Sequence, residues 1–151
     1  MGVLQPSDLF HTGIVVDDLT SAKEEFGSLL GITWLEGGGD VPMLLEDGPR
    51  LVEMAYAYSS KGPHHLELLQ SVEGTVWTVP NSGHAHHVGY WSDDVAETTA
   101  SLSALGLPRV VNIGTFEEDE FPTGVYHQAH NGLYLEVLSR TLKPVIFGEG
   151  S

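Results

Sequence analysis

The chain has 151 residues, 41% of them hydrophobic and 9% aromatic, which is enough apolar side chain for one domain with a packed core and too much for a disordered chain. Its 21 Asp and Glu outnumber 6 Lys and Arg, a formal balance of −15, which argues against a nucleic acid or an anionic membrane surface as main partner. The absence of cysteine excludes disulfides, thiolate zinc sites, iron–sulfur clusters and a Cys nucleophile. No stretch approaches the roughly 20 apolar residues of a membrane span. Residues 1–15 lack the basic start and apolar run of a signal peptide, so a cytoplasmic protein is expected. Eight His stand out against so few cations.

In chain order, Phe10-His11-Thr12-Gly13-Ile14-Val15-Val16 reads as a strand running into Asp17-Asp18. Apolar residues at Leu19, Ala22, Phe26, Leu29 and Leu30 follow with the three-and-four spacing of a helix. An Asp caps its start and Gly31 ends it. Strands are expected at about Ile32–Glu36, Leu51–Tyr58 and His65–Leu69, separated by breakers at Gly37-Gly38-Gly39, Asp47-Gly48-Pro49 and Lys61-Gly62-Pro63. A loop around Pro80-Asn81-Ser82-Gly83 follows. The pattern then repeats at an offset of 76 residues: His87, Gly89, Asp93 and Asp94 match His11, Gly13, Asp17 and Asp18. A second helix spans Val95, Leu102 and Leu105 and closes at Gly106 and Pro108. Strands come next at about Arg109–Ile113, Val125–Gln128 and Tyr134–Leu138, with a tight turn at Asn131-Gly132. His65-Leu66-Glu67-Leu68-Leu69 and Tyr134-Leu135-Glu136-Val137-Leu138 share a central Glu.

Each half therefore reads βαβββ. The expected fold is α+β: two tandem modules, about 8–72 and 84–140, joined by a linker at about 73–83 and followed by a tail, 141–151. A lone half would leave one sheet face bare. Two halves can curve into one half-open mixed β-barrel with the helices outside.

Strand side chains alternate faces. If Ile14 and Val16 meet the helix, then His11, Gly13 and Val15 face the cleft. The same parity turns His87, Gly89 and Trp91 inward, with Glu67 beside His65 and Glu136 beside Tyr134. A carboxylate on an apolar strand is costly unless paired or metal-bound. Two of them, each with a repeat-related His, point to one divalent metal ion held by His11, Glu67, His87 and Glu136. Imidazole and carboxylate suit Zn, Ni, Co, Mn or Fe(II). His86 is the rival to His87, and only the repeat register prefers the latter.

The pattern resembles the vicinal oxygen chelate superfamily. That group includes glyoxalase I, methylmalonyl-CoA epimerase, extradiol dioxygenases, fosfomycin resistance proteins and bleomycin-binding proteins. The resemblance covers about residues 8–140. It rests on His11-x-Gly13 running into Asp17-Asp18, on the second copy from His87, and on Glu67 and Glu136. It implies metal-assisted proton transfer on a substrate chelated through vicinal oxygens. A four-ligand lyase, isomerase or epimerase fits the quartet best. An Fe(II) extradiol-type dioxygenase would use His11, His87 and Glu136 and leave Glu67 surplus. A metal-free small-molecule or antibiotic-binding resistance protein is the third reading, and the intact quartet counts against it. In the glyoxalase-like scheme Glu67 or Glu136 is the base. His127, Tyr126 and Glu53 are further candidates, and His65 could support Glu67. Trp91, Tyr126, Tyr134 and His65 are expected in the substrate pocket. The resemblance also implies a homodimer.

Glutathione and coenzyme A thioesters are anionic. Only Lys23, Arg50, Lys61, Arg109, Arg140 and Lys143 are available to meet them, so a neutral or aromatic small molecule is at least as good a substrate. The run Glu117-Glu118-Asp119-Glu120 reads as a solvated loop or a lid. Val145-Ile146-Phe147 in the tail is expected to pack on the body or on a neighbouring subunit.

Overall fold

The computed structural model describes residues 2–81, 84–118 and 120–150. Ser82 and Gly83 of the expected linker and Asp119 of the acidic run lie outside the described residues. After a 3-10 turn at Pro6–Asp8, strand β1 (Leu9–Val16) buries His11, Gly13 and Val15 on one face and leaves Thr12, Ile14 and Val16 half-buried on the other. The period of two predicted from the sequence is the one observed.

The helices start where the Asp pairs allow. Helix α1 (Leu19–Leu30) is capped by Asp18, whose carboxylate accepts from the Ser21 N–H. It ends at Gly31, φ 63°, the left-handed turn that a glycine adopts at low cost. Helix α2 (Val95–Ala104) repeats the start, with Asp94 accepting from the Glu97 N–H. Both lie outside the sheet, and no helix among the described residues is long and apolar enough to cross a membrane.

Strands β2 (Trp34–Leu45) and β3 (Gly48–Ser59) form one long hairpin. This corrects the expectation that Gly37-Gly38-Gly39 breaks the chain. Gly37 and Gly38 sit inside β2 hard against β3, whereas Gly39 (φ +115°) has open space beside it. A Cβ at Gly37 would lie 2.5 Å from the Tyr56 ring, and one at Gly38 (φ +143°) 2.2 Å from the Met54 carbonyl oxygen. Strands β4 (His65–Gln70), β5 (His87–Ser92), β6 (Arg109–Ile113), β7 (Gly124–Gln128) and β8 (Tyr134–Ser139) complete the sheet.

The strand order is β1-β4-β3-β2-β6-β7-β8-β5, and the ladder closes on itself. Pairs β1–β4 and β5–β8 are parallel and the others antiparallel. The chain thus forms a mixed barrel with its helices outside, closed rather than half-open. The closing contact is short: Met43 opposite Ile113 and Leu44 opposite Asn112 join β2 to β6. The other junction between the first and second four strands, β1–β5, sets His11 opposite Gly89 and Gly13 opposite His87.

Among the described residues two apolar clusters fill the barrel, and a third, of Val95, Leu102, Val125 and Val137, packs α2 against the sheet. Of the two in the barrel, one gathers Met43, Val52, Met54, Trp77, Val111 and Tyr126. The other gathers Phe10, Tyr58, Trp91 and Leu138, with Leu142, Ile146 and Phe147 packed against it. Those last three come from the tail, a 3-10 turn at Arg140–Leu142 followed by the short helix α3 (Lys143–Phe147). Phe147 anchors it: its ring stacks on His65 at 4.0 Å and meets Tyr58 edge-on at 5.1 Å.

Candidate metal centre

Register across four adjacent strands gathers the candidate ligands. Gly13 on β1 lies between Glu67 on β4 and His87 on β5. Gly89 on β5 lies between His11 on β1 and Glu136 on β8. The two rows are repeats of each other, and the glycines explain why the motif is His-x-Gly. A Cβ at Gly13 would lie 2.0 Å from His87 Cε1, and one at Gly89 would lie 1.9 Å from His11 Cε1. Each imidazole therefore crosses the junction and lies over the glycine of the opposite half.

Four donor atoms converge. His11 Nε2 lies 2.9 Å from His87 Nε2, 3.0 Å from Glu67 Oε2 and 2.9 Å from Glu136 Oε2. His87 Nε2 lies 2.9 Å from Glu67 Oε2 and 3.2 Å from Glu136 Oε2. Both His side chains are fully buried, and the two carboxylates are 5% and 8% exposed.

Hydrogen bonding alone does not satisfy this arrangement. His86 Nε2 lies 2.7 Å from the Val76 carbonyl oxygen, which can only accept, and His86 Nδ1 lies 2.8 Å from His87 Nδ1. Burial, and then the neighbouring His87, lowers the His86 pKa to about 4, so this ring is neutral near pH 7. These contacts assign His86 as the donor to Val76 and His87 Nδ1–H as the donor to His86. His87 Nε2 is then the atom aimed at the other three donors; burial opposes a proton there, but Glu136 and Glu67 outweigh it and raise the His87 pKa when no ion is bound. Glu136 Oε2 is buried within contact distance of both imidazoles but not aligned for a hydrogen bond to either, and His11 Nδ1 is buried with no partner among the described residues. Two imidazole nitrogens and two carboxylate oxygens within 4.8 Å of one another fit a divalent transition ion. The metal-free alternative is a proton on His11. Burial opposes it, but Glu67 and then Glu136 outweigh burial and raise the His11 pKa to about 9. Burial likewise opposes ionisation of Glu136, yet His11 and His87 hold it down at about 2. Glu67 is lowered in the same way, His11 overcoming burial.

A cavity of about 140 Å³ adjoins the carboxylates. Glu67 and Glu136 line it, whereas His11 and His87 do not. Its other walls include Met43, Met54, Tyr56, Tyr58, Trp77 and Tyr126. Burial, then the two Glu charges, raises the phenol pKa of Tyr56, Tyr58 and Tyr126, so all three are neutral donors. Tyr126 Oη accepts from Trp77 Nε1 at 3.1 Å and lies 3.4 Å from His87 Nδ1.

Other expected site residues lie elsewhere. His127 is fully buried but faces away, its Nε2 in a hydrogen bond with Thr99 of α2 and its Nδ1 2.9 Å from the Leu107 carbonyl oxygen. Tyr126 points inward and His127, its neighbour on the strand, does not. Trp91 stacks on Phe10 at 3.7 Å in the second cluster. It lies two residues beyond Gly89 on the inward face, in a layer past the donors. His65 lines a separate groove, its Nδ1 2.6 Å from the Ser59 carbonyl oxygen. Tyr134 packs against His86 at 4.9 Å, and Glu53 is exposed. Sequence reasoning missed Tyr56 and Tyr58. The alternation of Met54, Tyr56 and Tyr58 along β3 could have found them.

A family model described as the Glyoxalase/Bleomycin resistance protein/Dioxygenase superfamily matches residues 10–120. The chain belongs to this superfamily. Its fold is that of the vicinal oxygen chelate proteins. Methylmalonyl-CoA epimerase of Streptomyces coelicolor, solved as a variant, is similar at a TM-score of 0.59 and 16% identity, with 88% of this chain and 96% of that one covered. A hypothetical protein from Bacillus halodurans is similar at 0.59 and 18%, covering 90% and 96%. The 2,2',3-trihydroxybiphenyl 1,2-dioxygenase of Sphingomonas wittichii is similar at 0.54 and 18%, covering 87% of this chain and 41% of that longer one. No curated protein matches by sequence.

Proposed function

We propose that the protein is a divalent-metal-dependent lyase, isomerase or epimerase acting on a small oxygenated molecule. The observation that carries this reading is a buried two-His, two-Glu donor set whose carboxylates alone face an apolar cavity. His11, Glu67, His87 and Glu136 would hold the ion, which supplies Lewis-acid stabilisation of a negatively charged oxygen when bound. The protein residues have separate tasks. The cavity walls exclude water, which strengthens every electrostatic interaction inside. Tyr56, Tyr58 and Tyr126 offer neutral O–H donors to substrate oxygens. Glu67 and Glu136 are the two carboxylates lining the cavity, so one of them moves the proton next to the substrate carbonyl. His86 keeps His87 in the tautomer that presents Nε2.

Elemental analysis of untagged protein, purified without chelator or added metal, tests this. About one equivalent of zinc, nickel or cobalt per chain is expected. Glu136→Gln and Glu67→Gln should each lower metal affinity by about 10- to 100-fold or more, judged against the cost of losing even an outer partner. A panel of small hydroxyketones and 2-oxo acids in D2O should show deuterium wash-in beside the carbonyl. Iron at one equivalent with no wash-in would replace this reading by the oxygenase. A chain that neither carries nor takes up metal would end it.

A further inference from the structure

Ile146, on the short α3, lines two hollows at once. On one side is the cavity beside Glu67 and Glu136; on the other is an open groove along α1 and β2, bordered by Lys23, Trp34 and Glu36. The side chain is the partition between them. The cavity it bounds on that side is about 140 Å³, and an apolar cavity of about 150 Å³ holds one benzene ring. No Lys or Arg lines that cavity. In the groove beyond, Lys23 is already paired with Glu36. An ion held by the four donors would therefore be the one cation near the cavity.

We propose that Ile146 sets how far the substrate's reacting end extends toward α1, to about one six-membered ring beside the carboxylates. The inference rests on the cavity being the substrate site of the proposed enzyme. It concerns the wall, not the ion. Phe147 rather than Ile146 holds α3 in place, through its stack on His65 and its contact with Tyr58. Shortening Ile146 thus removes the partition and leaves the helix anchored. A longer substrate would then extend past residue 146 into the groove.

Two vicinal diols that differ by one ring, catechol and 2,3-dihydroxynaphthalene, test this. Each is titrated by calorimetry into the zinc-loaded and the metal-free protein. In the wild type, catechol should bind about tenfold tighter or more, since the extra ring must be forced against a packed wall. Ile146→Ala should bring the two affinities to within about threefold of each other, because the wall is gone. Val145→Ala, on the 77% exposed side of the helix, should keep the wild-type ratio. Thermal melts check that both variants fold. Equal affinity for the two diols in the wild type overturns the proposal. So does an Ile146→Ala ratio equal to wild type, or a protein that binds neither diol. If zinc adds nothing to either affinity while the ring-size ratio persists, the metal enzyme fails and the wall stands.

Discussion

A single methyl group tests the centre at the residue scale. Gly13→Ala puts a Cβ 2.0 Å from the His87 ring, and Gly89→Ala puts one 1.9 Å from the His11 ring. Neither ring has room to retreat in a packed interior. Each variant should lose about 1–3 kcal/mol of stability from overpacking and about tenfold or more in metal affinity. A metal titration paired with a melt in chelator separates the two effects, and wild-type affinity in either variant would refute the crossing. Protonation gives a second test, in the metal-free protein. His11 has a pKa raised from 6.5 to about 9. Its contribution is complete below pH 6.5 and is lost as pH rises through 9. Glu136 is lowered from 4.5 to about 2, so its contribution is complete above pH 4.5 and lost as pH falls through 2. His86, lowered from 6.5 to about 4, costs nothing above pH 6.5 and costs progressively more as pH falls to 4. Taken together, the three groups place maximal stability near pH 6.5, declining toward pH 9 and toward pH 4. Melting temperatures across that range, in chelator, check it. The four candidate ligands were legible in the sequence because a repeat and a period of two are both local signals. His127 was not, because strand β7 is buried on both faces and burial there does not distinguish inward from outward.

At the scale of elements, both helices were readable to within a residue or two. Their starts are chemical: Asp18 and Asp94 each satisfy a free N–H that water would otherwise have to meet. Asp18→Ala and Asp94→Ala should each cost about 1 kcal/mol, measured as a shift in the urea midpoint at constant slope. Strand β2 was read too short. Glycine is a breaker when nothing covers it, but here Tyr56 and the Met54 carbonyl occupy the space left at Gly37 and Gly38. Such coverage is a property of the partner strand, invisible in the glycines themselves. The tail shows the same limit. Val145-Ile146-Phe147 reads as one apolar run, yet Phe147 anchors, Ile146 walls the cavity and Val145 faces solvent.

At the scale of the whole molecule, the barrel has two junctions of unequal strength. One pairs β1 with β5, and the other rests on two residue pairs between β2 and β6. Closure was beyond sequence reasoning because no local pattern marks where two strands from different halves meet. The donor set takes one His and one Glu from each half, so a bound ion ties the halves together. An ion present at about 100 times its Kd stabilises the native state by about 2.7 kcal/mol, which for about 150 residues raises the melting temperature by about 5–10 °C. Removing metal should reverse this, and adding zinc back should restore it in proportion to the logarithm of its concentration. A melting temperature indifferent to zinc would show that the four residues do not bind it.

The crossed imidazoles carry a consequence for inheritance. Each half of the chain keeps an empty place for a ring it does not own, and supplies a ring that fits nowhere in itself. The two halves therefore cannot drift apart by single steps: enlarging one glycine has to be answered on the other strand in the same molecule. A chain divided after Asn81 would yield two fragments that each hold one His and one Glu of the donor set. They would be expected to need each other before either could grip an ion.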